Sequence, residues 1–291
     1  MPLRSDPRCL ECFRRGFRDF YRRGSGQEIR RSPAVAEALE MVAARLADNP
    51  PPVAGEPGYL HLCKSLGVAD LFMEEKREFT MGMLDELDRI RSDLLSEDRP
   101  ESAALRAGTW GNLLDVAQGH RLPSPAEMLR LFETPLAVDH TESFLESLQD
   151  ASLLLILGDN AGETVLDRLF LEVAAPLANV VYSVRPEPVM NDATRADAEM
   201  AGLHNLAEIV DTGCAAPTVI PGLTSARFQA LFEDADLILS KGQGNLEGLI
   251  GTRDRRVYYS FVVKCGVIAD ATGLPVRSGV FACSADVPQR R

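Results

Sequence analysis

Four stretches of the chain hold side chains whose types and spacing could do chemistry together. The first reads Gly158-Asp159-Asn160-Ala161-Gly162-Glu163, in which a carboxylate, an amide and a second carboxylate share one turn and two glycines give it room. The second carries Arg185 and then Asn191-Asp192 ahead of Ala193-Thr194. The third is Lys241-Gly242-Gln243-Gly244-Asn245-Leu246-Glu247, whose glycines allow close backbone approach and whose lysine is a point charge suited to phosphate. Lys264 is the fourth. Asp159, Asn160 and Asp192 are hard oxygen donors without a matched His or Cys set, which suits Mg²⁺, Mn²⁺ or a similar cation that keeps its waters. Such a site supports phosphoryl transfer: Asp159 and Asp192 hold the cation, Glu163 orders a water or acts as base, and Lys241 and Lys264 neutralise charge on the transferring group. Plainer readings stand beside these. Asp and Asn at strand-to-helix turns also cap helices, Glu163 also suits a first helical turn, and Arg185 serves equally as a phosphate clamp or a structural salt bridge.

The elements that must position these residues follow from the apolar pattern. Short apolar runs at 153–157, 180–184, 208–210, 237–239 and 257–263 alternate with amphipathic stretches at 163–173, 193–201 and 225–232. That alternation predicts a mainly parallel sheet with helices on both faces, and in such sheets ligands bind beyond the carboxyl ends of the strands, where the four stretches lie. The first half reads as all-α, with helices over 9–21, 34–46, 70–95, 101–116 and 124–132. Pro50-Pro51-Pro52 predicts a stop after the second helix and a loop to about Gly58. The expectation is an α/β chain with an all-helical domain over 1–150 and an α/β domain over 151–291 that carries the site.

Composition excludes several alternatives. The 31 Lys and Arg against 43 Asp and Glu leave a net charge of −12, the wrong sign for a surface that neutralises nucleic-acid phosphates. No apolar run is long enough for a membrane span and no signal peptide is visible, so a cytoplasmic protein is expected. Six scattered cysteines are too few for a disulfide framework. Cys9 and Cys12 have the spacing of half a zinc site with nothing in sequence to complete it, so packing is the default. His61, His120, His140 and His204 lack metal-like spacing, and Trp110 reads as core. Glu247 stands where a dinucleotide-binding loop needs its third glycine, which argues against NAD. Ala161 stands where an aspartyl-phosphate phosphatase needs its second Asp. Asn112 and Asp115 share one helical face and could reach the pocket from the first half.

Taken together, the stretch from Leu157 to Glu163, the Asn191-Asp192-Ala193-Thr194 turn and the segment from Asp236 to Asn245 resemble the metal-dependent damage-control phosphatases, long called domain of unknown function eighty-nine. Asp211-Thr212-Gly213, Val263-Lys264-Cys265, Cys9-Leu10-Glu11-Cys12 and Gly111-Asn112-Leu113-Leu114-Asp115 extend the resemblance over nearly the whole chain, and the paired N-terminal cysteines resemble the stand-alone archaeal and bacterial branch. The resemblance implies a helical region packed on a Rossmann-like α/β domain. It further implies hydrolysis of small phosphorylated metabolites such as sugar phosphates, nucleotides or phosphopantetheine, in metabolite damage control and with Mn²⁺, Co²⁺, Ni²⁺ or Mg²⁺. The metal ligands map onto Asp159, Asn160 and Asp192, and the segment from Lys241 to Glu247 with Lys264 onto phosphate and substrate contacts. Asp70-Leu71-Phe72 and Gly16 depart from the family pattern, which bears on substrate detail. Two other functions stay open: an S-adenosylmethionine-dependent carboxyl methyltransferase, also proposed within this family, and a non-catalytic phosphometabolite-binding protein.

Overall fold

A computed structural model describes residues 2–26, 32–115, 123–174 and 178–287. The first helix, α1 (Pro7–Ser25), starts where the Asp6 side chain accepts a hydrogen bond from the Arg8 backbone N–H and stops at Gly26, whose φ of 64° is the left-handed conformation of a helix end. It buries Cys9, Phe17 and Phe20 against α2 (Pro33–Leu46) and α3 (Pro51–Leu66).

The loop expected after Pro50 is absent. Pro51 and Pro52 occupy the first turn of α3, where the missing N–H of proline has no helical partner to lose, so the prolines start a helix instead of ending one. The single helix expected over 70–95 is two, α4 (Met73–Asp85) and α5 (Leu87–Leu95), parted at Glu86. Next comes α6 (Pro100–Gly111), buried along most of its length against the sheet. The helix expected to 116 stops at Gly111, and Val116 and His120 lie outside the described residues. After α7 (Pro125–Phe132) the chain forms a two-residue strand, β1 (Val138–Asp139), and α8 (Thr141–Asp150).

The remaining strands are β2 (Leu153–Leu157), β3 (Asn179–Val184), β4 (Glu208–Asp211), β5 (Leu237–Lys241), β6 (Val257–Val262) and β7 (Gly279–Cys283). They are separated by α9 (Thr164–Ala174), α10 (Arg195–Met200), α11 (Ala226–Asp234), α12 (Gly242–Leu249) and α13 (Gly266–Thr272). The sheet order is β1-β7-β6-β5-β2-β3-β4, and every neighbouring pair is parallel except β6 with β7. Strands β1 and β7 had no counterpart in the sequence reading. Alternate side chains divide the core by face. Leu154, Ile156, Tyr182 and Leu239 pack under α5, α6, α8 and α9, while Leu155, Leu157, Ile238 and Phe261 pack under α11, α12 and α13. No helix among the described residues is long and apolar enough to cross a membrane.

Candidate active site

Strand order sets the location. From β2 the chain moves outward to β3 and β4, then returns to β5 on the other side of β2 and continues to β6. The crevice at the carboxyl ends of β2 and β5 is therefore the point where the order reverses. Asp159 follows β2 there, and two backbone hydrogen bonds brace its turn against the one that follows β3. Ala193 N donates to Asp159 O at 2.7 Å and Ala161 N to Asn191 O at 2.9 Å, which pairs Asn160 with Asp192 as an isolated antiparallel bridge. Gly242, with φ of 81°, turns β5 directly into α12, so the loop expected over 241–247 is mostly helix. A Cβ on Gly242 would lie 1.9 Å from Asp159 Oδ2, so only glycine leaves space for that carboxylate.

Asp159, Asn160, Asn191, Asp192 and Lys264 converge as expected on one cavity of about 1030 Å³. Asp159 Oδ2 accepts from Asn112 Nδ2 at 2.7 Å and Asn160 Nδ2 at 2.9 Å. Asp192 Oδ2 accepts from Arg185 Nε at 2.7 Å. Neither Oδ1 has a hydrogen bond among the described residues, and neither is among the sealed polar atoms, so both open to the cavity. Burial, and then the negative charge of Asp192, push the Asp159 carboxyl well above the usual carboxylate range, and burial also raises Asp192 against the pull of Arg185. Facing them, Lys264 Nζ pairs with Asp115 at 2.6 Å; the fields of Asp115 and Asp159 outweigh its burial and hold its proton more tightly.

This donor set fits a hard cation that keeps several waters. Two mutually repelling carboxylates each offer a free oxygen, and the Asn160 amide oxygen, now accepting from Asn191 at 2.7 Å, lies between them in sequence. Among the described residues no three His, Cys, Asp or Glu side chains are gathered tightly enough to hold a metal by themselves. The candidate set reaches three only through that amide.

Other expected contacts lie elsewhere. Lys241 and Glu163 are each 1% exposed and absent from the cavity lining. Lys241 Nζ lies 2.7 Å from Glu163 Oε1 and closer still to Asp167, and donates to Gly108 O at 3.2 Å. Arg185 is held by Asp192, by Thr218 O at 3.0 Å and by Asn245 Oδ1 at 3.0 Å, so it fixes Asp192 in place. Asn245 donates to the Gly158 and Lys241 carbonyls and ties α12 to both strand ends. Gln243, Gly244 and Glu247 do line the cavity, and burial pushes the Glu247 carboxyl up to about 7 against the pull of Gln243 and Lys264.

The helical region supplies the opposite wall. Cys12, Phe13 and Arg15 of α1 border the cavity, and Arg8 pairs with Asp270 of α13 at 2.8 Å. All six cysteines are free thiols, and burial holds Cys9 up to about 11. Asn112 and Asp115 do reach the site, but from the turn after α6 and not from one helical face, because the helix ends at Gly111. Asp167 and Tyr182 were missed. Asp167 follows Glu163 by four residues and so shares its helical face, a spacing that pointed to a common partner.

Residues 5–280 match the damage-control phosphatase ARMT1-like domain. The chain is 30% identical over 265 residues to a damage-control phosphatase of Pyrococcus horikoshii, covering 88% of each. It is 26% identical over 252 residues to a damage-control phosphatase of Archaeoglobus fulgidus, covering 84% of this chain and 87% of that one. The crystal structure of a DUF89 family protein from Pyrococcus horikoshii superposes with a TM-score of 0.82 at 25% identity, over 97% of this chain and 99% of that one. With the match spanning both the helical region and the sheet that carries the carboxylates, the chain belongs to the damage-control phosphatase ARMT1-like family.

Proposed function

We propose that the protein is a divalent-cation-dependent phosphatase acting on small phosphorylated metabolites. The observation that carries this reading is the pair of buried carboxylates, Asp159 and Asp192, each with one oxygen open to the cavity and with Lys264 facing them. Asp159, Asn160 and Asp192 are the residues that would hold Mg²⁺, Mn²⁺, Co²⁺ or Ni²⁺. Such a cation, when bound, polarises a phosphoryl oxygen and makes water a better nucleophile. Lys264 neutralises charge on the phosphoryl oxygens as the ester bond lengthens. Arg185 orients Asp192, and the Asn112 and Asn160 amides orient Asp159, so neither carboxylate has to reorganise during the reaction. Glu163 orients Asn160 from behind, since its Oε2 accepts from Asn160 Nδ2 at 3.0 Å.

The test is phosphate release from a panel of sugar phosphates, nucleotides and phosphopantetheine by metal-stripped protein, with each cation restored in turn. Release that needs a cation and is lost in Asp159→Asn supports the reading. No release from folded, cation-loaded protein, or a thermal shift with S-adenosylmethionine in place of a cation, overturns it. The cation-induced thermal shift is a second readout and should vanish in the same variant.

A further inference from the structure

Among the described residues, Glu247 is the one buried carboxyl on the cavity wall that the proposed reaction leaves without a task. It sits on α12, one turn after Gln243, and its position is set by a short relay. The Lys264 backbone N–H donates to Gln243 Oε1 at 2.9 Å, which fixes the amide's orientation, and Gln243 Nε2 then donates to Glu247 Oε1 at 3.0 Å. Oε1 is thereby an acceptor. Oε2 has no hydrogen bond among the described residues, yet it is not a sealed atom, and the residue lines the cavity. A proton on this carboxyl therefore belongs on Oε2, facing the space a ligand would fill. The groups around it are Cys9 and Cys12 from α1, with Arg15 beside Cys12, and Lys264 and Cys265 from the turn after β6. Burial raises the Cys9 and Cys12 thiols, and burial is also the dominant influence on Glu247, so its acid form persists to about pH 7.

Lys264 places this acid relative to the reaction. Its charge is felt by Asp159, Asp192 and Glu247 alike, and all four side chains line the same cavity. A phosphoryl group held against Lys264 would share that cavity with the open carboxylates, with Glu247 and with the α1 wall.

We propose that Glu247 is the general acid of the reaction, delivering the Oε2 proton to the leaving oxygen of alkyl phosphate esters. This rests on the phosphatase reading above. The bond from phosphorus to the ester oxygen breaks, water forms the new bond to phosphorus, and the alkoxide takes the proton from Glu247. The products are the alcohol, dihydrogen phosphate and the Glu247 carboxylate; one proton returned from dihydrogen phosphate or solvent restores the acid. Poor leaving groups such as sugar hydroxyls need that proton, whereas nitrophenolate leaves without it.

The experiment compares cation-loaded wild type, Glu247→Gln and Glu247→Asp on glycerol phosphate and on 4-nitrophenyl phosphate, each across pH. Glutamine keeps an oxygen for Gln243 Nε2 but has no proton to give. Its loss in kcat is expected to be about 100-fold greater on the alkyl ester than on the aryl ester. Glu247→Asp should restore part of the alkyl-ester rate, and the fall in wild-type kcat above about pH 7 should disappear in Glu247→Gln on the alkyl ester. Equal losses on both esters, with wild type active, overturn the acid role and leave the phosphatase reading standing. Wild type inert on every phosphate ester overturns both.

Discussion

Two polar clusters meet at the carboxyl edge of the sheet. Behind the cavity, Lys241 lies between Glu163 and Asp167: it donates to Asp167 Oδ1 and is ion-paired with Glu163 Oε1, which is sealed and otherwise without a hydrogen bond, while Asn160 donates to Glu163 Oε2 and Tyr182 to Asp167 Oδ2. In front of it, Asp159 and Asp192 use the same residue types in the same kind of turn but leave one oxygen each uncovered. Asn160 joins the two clusters by donating to both Asp159 and Glu163. The difference teaches that charged residues at strand ends do not mark a ligand site by their identity. Unfilled acceptor capacity that faces open space does. The closed cluster is a strut, and the open one is where a cation can be held.

The contrast can be broken by substitution. The largest effect is expected at Asp159→Asn: a loss in cation-dependent kcat/KM of about 10³-fold or more, because the charge that holds the cation is gone. Stability in urea should be unchanged or higher, since the native carboxyl sits against Asp192 in a buried site. Loss of stability here would mean that the open cluster is also structural. In the closed cluster Lys241→Met should act the opposite way. It strands Glu163 and Asp167 without a cation and should lower unfolding free energy by about 3–5 kcal/mol by urea denaturation, while cation binding to the remaining folded protein persists. A stable Lys241→Met protein that no longer binds the cation would reverse the two assignments.

A third variant sharpens the contrast through pH. Glu247 has an ordinary value of 4.5 and a folded value of about 7. Below the lower value both states hold the proton and the group contributes nothing to stability. As pH rises through that window the unfolded chain ionises first, so wild type loses stability, about 3 kcal/mol in all once above the folded value. Glu247→Gln escapes this loss. Its Tm should match wild type near about pH 4 and exceed it by several degrees near about pH 8. The smallest effect is expected at Asp6→Ala, which removes the N-cap of α1 and should lower Tm slightly, with KM rising more than kcat falls, because α1 walls the cavity without a hydrogen bond to the open carboxylates.

Much of the sheet could be read directly because β2, β3, β5 and β6 are short apolar runs with both faces covered, and the residues after them inherit a defined position. Asp159, Asn160 and Asp192 were legible for that reason. Lys241, expected at the phosphate, lies behind the cavity instead, because Glu163 and Asp167 draw it in from another element, a pairing that no local pattern around Lys241 reveals. Strand β7 escaped because Gly279–Cys283 is a single run near the end of the sequence with no crossover helix after it, and it pairs antiparallel to β6. The prolines of α3 were misread because a proline ends one helix and begins the next with the same chemistry.

The wall formed by α1 has a consequence for how the molecule is assembled. Leu3 N donates to the Glu247 carbonyl at 2.8 Å and Arg8 reaches Asp270, so the segment that opens α1 is tied to α12 and α13, far along the chain. Helices α1 to α3 pack on one another, yet the cavity they border is walled on its other side by residues of α12 and α13. The enclosed cavity is thus a product of long-range contacts and closes only when helices distant in sequence have docked.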